Sequence, residues 1–312
     1  MITTSLDIEQ ATKFLHHRFP EQVSEIQFVG EGAWSRCFGF KLGHDDLVIR
    51  FGLHLSDFQK DQVASKYATA DLPIPKVIET GEAQGMFYAI STRAFGIPLE
   101  ELDAEAWIRV VPTLVKALEA MRTAHISETN GFGGWDERGV ALGASWSEHL
   151  LAVDRDDPSS RTHGWKSRLT REFPEGAKAF VDGFERLKEV VSDKAPRNLI
   201  HCDLMHRNVL VASDRISGVF DWGCSLYGDH LYEFALFEFW GAWYPKLDIP
   251  FLRRALEEAW ERAGVAPINS EPRLKACHLA IGLDHIAYKA YLGKWKEAQE
   301  VIARMGQLGV LP

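Results

Sequence analysis

The stretch His201–Gly223, HCDLMHRNVLVASDRISGVFDWG, decides how the chain is read. Two short β-prone runs, Asn198-Leu-Ile and Val209-Leu-Val, flank a polar loop, and a further run, Gly218-Val-Phe, delivers Asp221. Asp203, Asn208 and Asp221 stand five and thirteen residues apart, on loops that strands can hold rigidly. That set suits phosphoryl transfer. One carboxylate can accept the proton of an attacking hydroxyl, while a carboxamide oxygen and a second carboxylate hold Mg²⁺ against nucleotide phosphates.

The pattern His-x-Asp-x4-Asn followed by Asp-Trp-Gly resembles the catalytic loop and metal-binding turn of the protein-kinase-like superfamily. The resemblance implies an α+β, bilobal protein-kinase-like fold, with a small β-rich N-terminal lobe over residues 1–93 and a larger, mostly helical lobe over 94–312.

Composition narrows the class. The chain has 312 residues, 46% hydrophobic and 25% charged, which is enough for a substantial core and contains no low-complexity run. A net charge of −9 disfavours nucleic acid as a partner and suits a cationic small molecule. Cys37, Cys202, Cys224 and Cys277 form no Cys-x-x-Cys pair, so neither a zinc site nor a disulfide framework is expected. No apolar stretch is long enough for a bilayer and the N-terminus has no signal-like pattern, so a soluble, cytoplasmic, monomeric protein is expected.

Residues 5–19 carry apolar side chains at helical spacing, with Ser5 or Asp7 available as cap. From Ile26 the texture alternates, predicting three strands joined at Gly30–Ser35 and Gly43–Asp46. The first turn, Gly-Glu-Gly-Ala-Trp-Ser, would let backbone N–H groups approach phosphates, with Ser35 adding a hydroxyl. A helix is expected from Asp57 to about Ala70, ending before Pro73. Residues 86–93 read as a buried strand, and Ala94-Phe-Gly-Ile-Pro breaks the pattern at the lobe boundary. Amphipathic helices are expected near 107–126, 174–192, 229–245 and 273–295.

Beyond the catalytic loop, the segments Asp57-FQKD, Ala70-DLPIP, Ile90-STRAFGIPLEEL, Asn130-GFG, Phe239-W-x-x-W and Ile281-GLDHIAY make the chain resemble the aminoglycoside phosphotransferase family, in particular its hygromycin B-phosphorylating branch. The resemblance implies a kinase that uses Mg²⁺ and ATP or GTP to phosphorylate a hydroxyl of a cationic aminoglycoside. By position, Asp203 would be the base, His201 a support for its loop, and Asn208 and Asp221 the metal ligands. Gly30, Gly32 and Ser35 would cover the phosphates. Arg50, standing where the family usually has lysine, would grip them with Asp61 as acidic partner and Asp57 as competitor for that role. Thr92 and Ala94 would meet the nucleobase through their backbones. Met205 occupies a position where protein kinases often have lysine, leaving charge compensation to Mg²⁺, Arg50 and His206 or Arg207. Acidic and flat residues for the acceptor would be Asp203, Glu233, Glu238, Asp284, Trp240 and Trp243. Kinases of choline, fructosamine or homoserine type share the nucleotide motifs, and a catalytically silent module with this fold is the other alternative.

Overall fold

The computed structural model describes residues 6–32 and 34–312. Helix α1 (Ile8–Arg18) starts at a capping box in which Asp7 accepts from Gln10 N–H and the Gln10 side chain accepts from Asp7 N–H. Ser5, the other cap candidate, lies outside the described residues. Strands β1 (Val23–Glu31), β2 (Ser35–Leu42), β3 (Asp45–Gly52), β4 (Val77–Ala83) and β5 (Met86–Thr92) form one antiparallel sheet in the order β1-β2-β3-β5-β4. Alternation puts Phe38, Phe40, Ile49, Phe51 and Tyr88 on one face, where they bury Ala11 and Leu15 of α1. The opposite face, carrying Arg50, looks onto the second lobe.

Helix α2 (Leu55–Ala64) bridges the two halves. Phe58 packs against Val77 and Ala89 under the sheet. Val63 and Ala64, with Leu72 and Ile74 beyond them, join the core of the large lobe. The helix ends earlier than its periodicity predicts: a 3-10 turn at Ser65–Tyr67 follows, and Ala68 is extended. Thr69 and Leu72 then close a turn reciprocally, Thr69 N–H on the Leu72 carbonyl and Leu72 N–H on the Thr69 hydroxyl, both at 3.0 Å. Those bonds draw the backbone away from a further helical turn.

The large lobe runs β6 (Ile97–Pro98), α3 (Ala104–Arg122), β7 (Phe132–Trp135), β8 (Ala141–Gly143), α4 (Trp146–Leu151), α5 (Trp165–Glu172), α6 (Pro174–Val190), β9 (Asn198–Ile200), β10 (Val209–Ala212), β11 (Arg215–Val219), β12 (Leu226–Gly228), α7 (Leu231–Trp240), α8 (Ile249–Ala263), α9 (Ser270–Leu292) and α10 (Trp295–Gln307). Its strands make two small sheets, β11-β10-β6 and β8-β7-β12-β9. Helix α9 is expected from sequence to be amphipathic, but it packs against α5, α6, α7 and α10 and is buried on most of its length. Gly282 permits one of those approaches, since a Cβ there would lie 2.4 Å from the Met305 sulfur. The layout is the two-lobed α+β architecture expected from the catalytic stretch. No helix among the described residues is long and apolar enough to cross a membrane.

Candidate active site

The loop 201–208 is held at its two ends by different sheets, β9 pairing with β12 and β10 with β11. His201 is fully buried and links two backbone groups and an indole ring. Its Nε2–H donates to the Phe220 carbonyl at 3.0 Å, its Nδ1 accepts from Asp203 N–H at 3.2 Å, and its ring meets the edge of Trp222 at 4.6 Å. Burial lowers its pKa, consistent with the neutral tautomer this network requires. His201 therefore ties the loop of Asp203 to the strand that ends at Asp221.

Glu233 lies beneath the same loop, 4% exposed, and its Oε2 accepts from His201 N–H at 2.7 Å and Cys202 N–H at 2.9 Å. This corrects the expectation that Glu233 faces the acceptor: the carboxylate braces the loop, including Cys202 at a φ of 72°. Burial raises its carboxyl to about 7, with the two N–H bonds pulling down and the Asp203 charge pushing up. Because the folded state binds this proton more tightly than a free carboxyl near 4.5, the contribution to stability is full below 4.5 and is lost as pH rises through about 7. The melting temperature should therefore fall across that window more in the native protein than in Glu233→Gln, which has no proton to lose. Parallel profiles from two folded proteins would remove Glu233 from this role.

Asp203 is oriented from both sides. Its Oδ1 pairs with His206 Nδ1, and Asn208 Nδ2 donates to its carbonyl at 2.8 Å and to its Oδ2 at 2.9 Å. With the amide nitrogen so engaged, Asn208 Oδ1 remains as the group able to bind a cation. Asp221 follows β11 in a left-handed conformation, φ 65° and ψ 63°, unusual for a residue with a side chain. Its carboxylate stands 3.6 Å from Arg50 Nη1.

Arg50 also pairs with Asp61, whose other oxygen accepts Trp222 N–H at 2.8 Å. Asp57 is taken elsewhere: Arg161 holds it at 3.0 and 2.9 Å and lies over the Trp34 ring at 5.9 Å. The geometry thus chooses between the two acidic candidates on α2. Against burial, Asp61 and Asp221 keep Arg50 protonated. On the carboxylate side burial prevails and raises Asp61 to about 6 even beside Arg50, which leaves it ionised at neutral pH.

In the glycine-rich turn, Gly32 N–H bonds the Ser35 carbonyl at 2.9 Å, and nothing lies within 4 Å of a Cβ built at Gly30 or Gly32, so the space beside the turn is clear. Ala33 lies outside the described residues. At the lobe boundary, Thr92 N–H is used by the Lys76 carbonyl and Arg93 N–H by Asp46, whereas Ala94 N–H has no backbone partner among the described residues. Gly96, at φ 150°, passes so close to β10 that a Cβ would meet the Val211 carbonyl at 2.4 Å.

On the acceptor side, Glu238 is also corrected. It is ion-paired with Arg253 at 3.1 Å and its other oxygen lies 3.2 Å from His278 Nε2, and against burial these neighbours hold its carboxyl low. Trp240 packs at 5.5 Å from His206, 4.6 Å from His285 and 5.1 Å from Trp243, and Trp243 is 39% exposed. Asp284 and Cys224 are open to solvent yet walled by protein, as groups inside a cleft are. Burial, then the charges of Asp203, Asp221 and Asp284 against that of Lys60, push the Cys224 thiol up to about 12, so all three carboxylates lie within electrostatic reach of it. Burial alone raises Asp284 to about 6.

Residues 57–268 match the phosphotransferase enzyme family designated APH. Over 291 residues the chain is 31% identical to hygromycin-B 4-O-kinase of Escherichia coli, covering 92% of this chain and 80% of that protein. The chain belongs to the APH phosphotransferase enzyme family. A thermostable mutant of aminoglycoside phosphotransferase APH(4)-Ia, solved with AMP-PNP and hygromycin B, superposes on this phosphotransferase with a TM-score of 0.81 at 28% identity, covering 95% of this chain and 96% of that one. A structure described as a putative fructosamine-3-kinase from Thermobifida fusca superposes at 0.64 and 14% identity over 96% of this chain and all of that one, which shows the shared fold alone.

The donor set of this phosphotransferase fits magnesium. Asn208 Oδ1 and the Asp221 carboxylate are hard oxygen ligands of the kind magnesium takes. No cluster of three or more His, Cys, Asp or Glu able to hold a metal occurs among the described residues. Sequence reasoning did not single out Lys60, Arg161, Glu100, Tyr244 or Tyr288. Burial raises the hydroxyls of the last two, helped at Tyr244 by the charges of Glu100 and then Asp203, and at Tyr288, against Lys294, by Cys224, Tyr291 and lastly Asp203. Nothing in local sequence separates them from packing residues.

Proposed function

We propose that this phosphotransferase moves the γ-phosphoryl group of ATP, with GTP as the alternative donor, to a hydroxyl of hygromycin B or a close aminoglycoside, and so confers resistance. The observation that carries this reading is that Asp203, Asp221 and Asp284 are near enough together for all three charges to act on Cys224, while Trp240, packed on Trp243, meets His206, the partner of Asp203. Polycationic sugars need such acidic walls, and flat rings suit their faces.

Asp203 accepts the proton of the attacking hydroxyl on its carboxylate, whose orientation Asn208 and His206 fix. Arg50, held by Asp61, positions the phosphates beneath the glycine-rich turn, where Gly30 and Gly32 leave open space, so that the γ-phosphorus comes in line with the hydroxyl. Asn208 and Asp221 would hold magnesium, which when bound neutralises charge on the phosphates. His201 and Glu233 keep the loop in place and touch neither substrate.

The reading is tested by Mg²⁺-dependent ATP consumption across aminoglycosides including hygromycin B, together with choline, homoserine and a fructosamine, with the product weighed for one added phosphate. Turnover on a metabolite alone would replace the acceptor while keeping the chemistry. Asp284→Asn should raise the KM for the aminoglycoside about tenfold and leave the KM for ATP unchanged. In the native enzyme the same KM should climb as pH falls below about 6, where Asp284 gains its proton and loses its attraction for amines. An acceptor KM in Asp284→Asn equal to that of the native enzyme would exclude this carboxylate from the amine contacts.

A further inference from the structure

We infer that Lys60 is a positioning residue for the metal-binding turn. It sits on α2, in the lobe opposite the turn, and is only 8% exposed. Its Nζ donates to the Gly223 carbonyl at 2.7 Å and to the Ser225 carbonyl at 3.3 Å, and lies 4.8 Å from the centroid of Trp135. Trp135 is itself fixed by stacking on Tyr227 at 5.7 Å. A buried ammonium with two carbonyl acceptors and an aromatic face has its charge satisfied without any carboxylate.

The turn needs an external brace. Strand β11 ends at Val219, and Asp221 then adopts its left-handed backbone, a conformation that surroundings must over-determine. On the N-terminal side the support is local: Phe220 N–H bonds the Asn208 carbonyl at 3.0 Å. On the C-terminal side the turn bonds itself, Ser225 N–H to the Trp222 carbonyl at 3.0 Å, the Trp222 indole rests on His201 and the Val219 carbonyl, β12 takes over at Leu226, and α2 supplies the remaining bonds. Two successive residues of that helix hold it in opposite senses. Asp61 accepts from Trp222 N–H at 2.8 Å, and Lys60 donates to Gly223 and Ser225. Since Asp61 is already drawn to Arg50, Lys60 is the member of the pair dedicated to the turn. Losing it frees the Gly223 and Ser225 carbonyls and leaves Asp61 alone to hold the turn behind Asp221, so the carboxylate samples orientations in which it cannot share a cation with Asn208. The effect reaches the metal through the backbone, which makes Lys60 a positioning residue rather than a ligand.

Binding measurements without any acceptor separate this inference from the choice of aminoglycoside. Mn²⁺ titration followed by electron paramagnetic resonance, with AMP-PNP present, compares the native protein with Lys60→Met. Metal-free AMP-PNP affinity is measured alongside by calorimetry. The expected result is Mn²⁺ binding weakened at least about tenfold with metal-free nucleotide affinity within about twofold. Unchanged Mn²⁺ affinity overturns the inference, as does an equal loss of both affinities, which would mean general collapse of the cleft. Should Lys60→Met fail to fold, Lys60→Gln keeps an N–H donor without charge and is judged by the same two affinities.

Discussion

Asp203→Asn should lower kcat by about 10²–10⁴-fold while the KM for ATP stays within about threefold. Asparagine is the informative substitution because it preserves size and still offers an oxygen to Asn208 Nδ2, whose second bond, to the Asp203 carbonyl at 2.8 Å, is untouched. The loop should therefore keep its shape. What disappears is the group that takes the hydroxyl proton as the phosphorus–oxygen bond forms. Steady-state kinetics on both substrates, with the melting temperature as a check on folding, give the answer. Near-native kcat in a folded Asp203→Asn protein would falsify its assignment as the base.

The second large effect is expected at Arg50. Arg50→Met leaves Asp61 buried without its cation and should cost ~3–5 kcal/mol of stability, a fall in melting temperature of roughly 10 °C. Both side chains are largely enclosed, at 13% and 11% exposure, so solvent does little to soften the loss. The KM for ATP should rise as well, because Asp221 then faces the phosphates with no guanidinium at 3.6 Å. Adding Asp61→Leu separates the two consequences. The double variant removes the stranded carboxylate and should regain much of the stability, while affinity for ATP stays poor. If instead Arg50→Met binds ATP normally, the phosphate grip belongs to other groups.

The catalytic stretch was legible in the sequence because its chemistry is written in spacing: Asp203, Asn208 and Asp221 lie on loops whose lengths the flanking strands determine. The acceptor wall was not. Glu233, Glu238 and Asp284 look alike from sequence, each an acid in an apolar helix. Their roles separate only across space, where Glu233 meets the N–H groups of His201 and Cys202, Glu238 meets Arg253 and His278, and Asp284 stands open in the cleft. Lys60 reads as an ordinary polar helix residue until the Gly223 carbonyl arrives from 163 positions away. Strand β4 was missed for a compositional reason. Its Glu79, Thr80, Gly81 and Glu82 lack the usual β signature, and pairing with β5 at the sheet edge overrides propensity.

The placement of α2 bears on how the protein can be taken apart. Val63, Ala64, Leu72 and Ile74 belong by sequence to the half that binds nucleotide, but they are packed in the core of the other half. A cut after residue 93 would expose these four side chains on one fragment and leave matching voids in the other. The lobes are consequently poor candidates for exchange between related enzymes as intact modules. A graft that moves the sheet alone, leaving residues 55–75 with their host, respects the packing and keeps Lys60 and Asp61 beside the turn they hold.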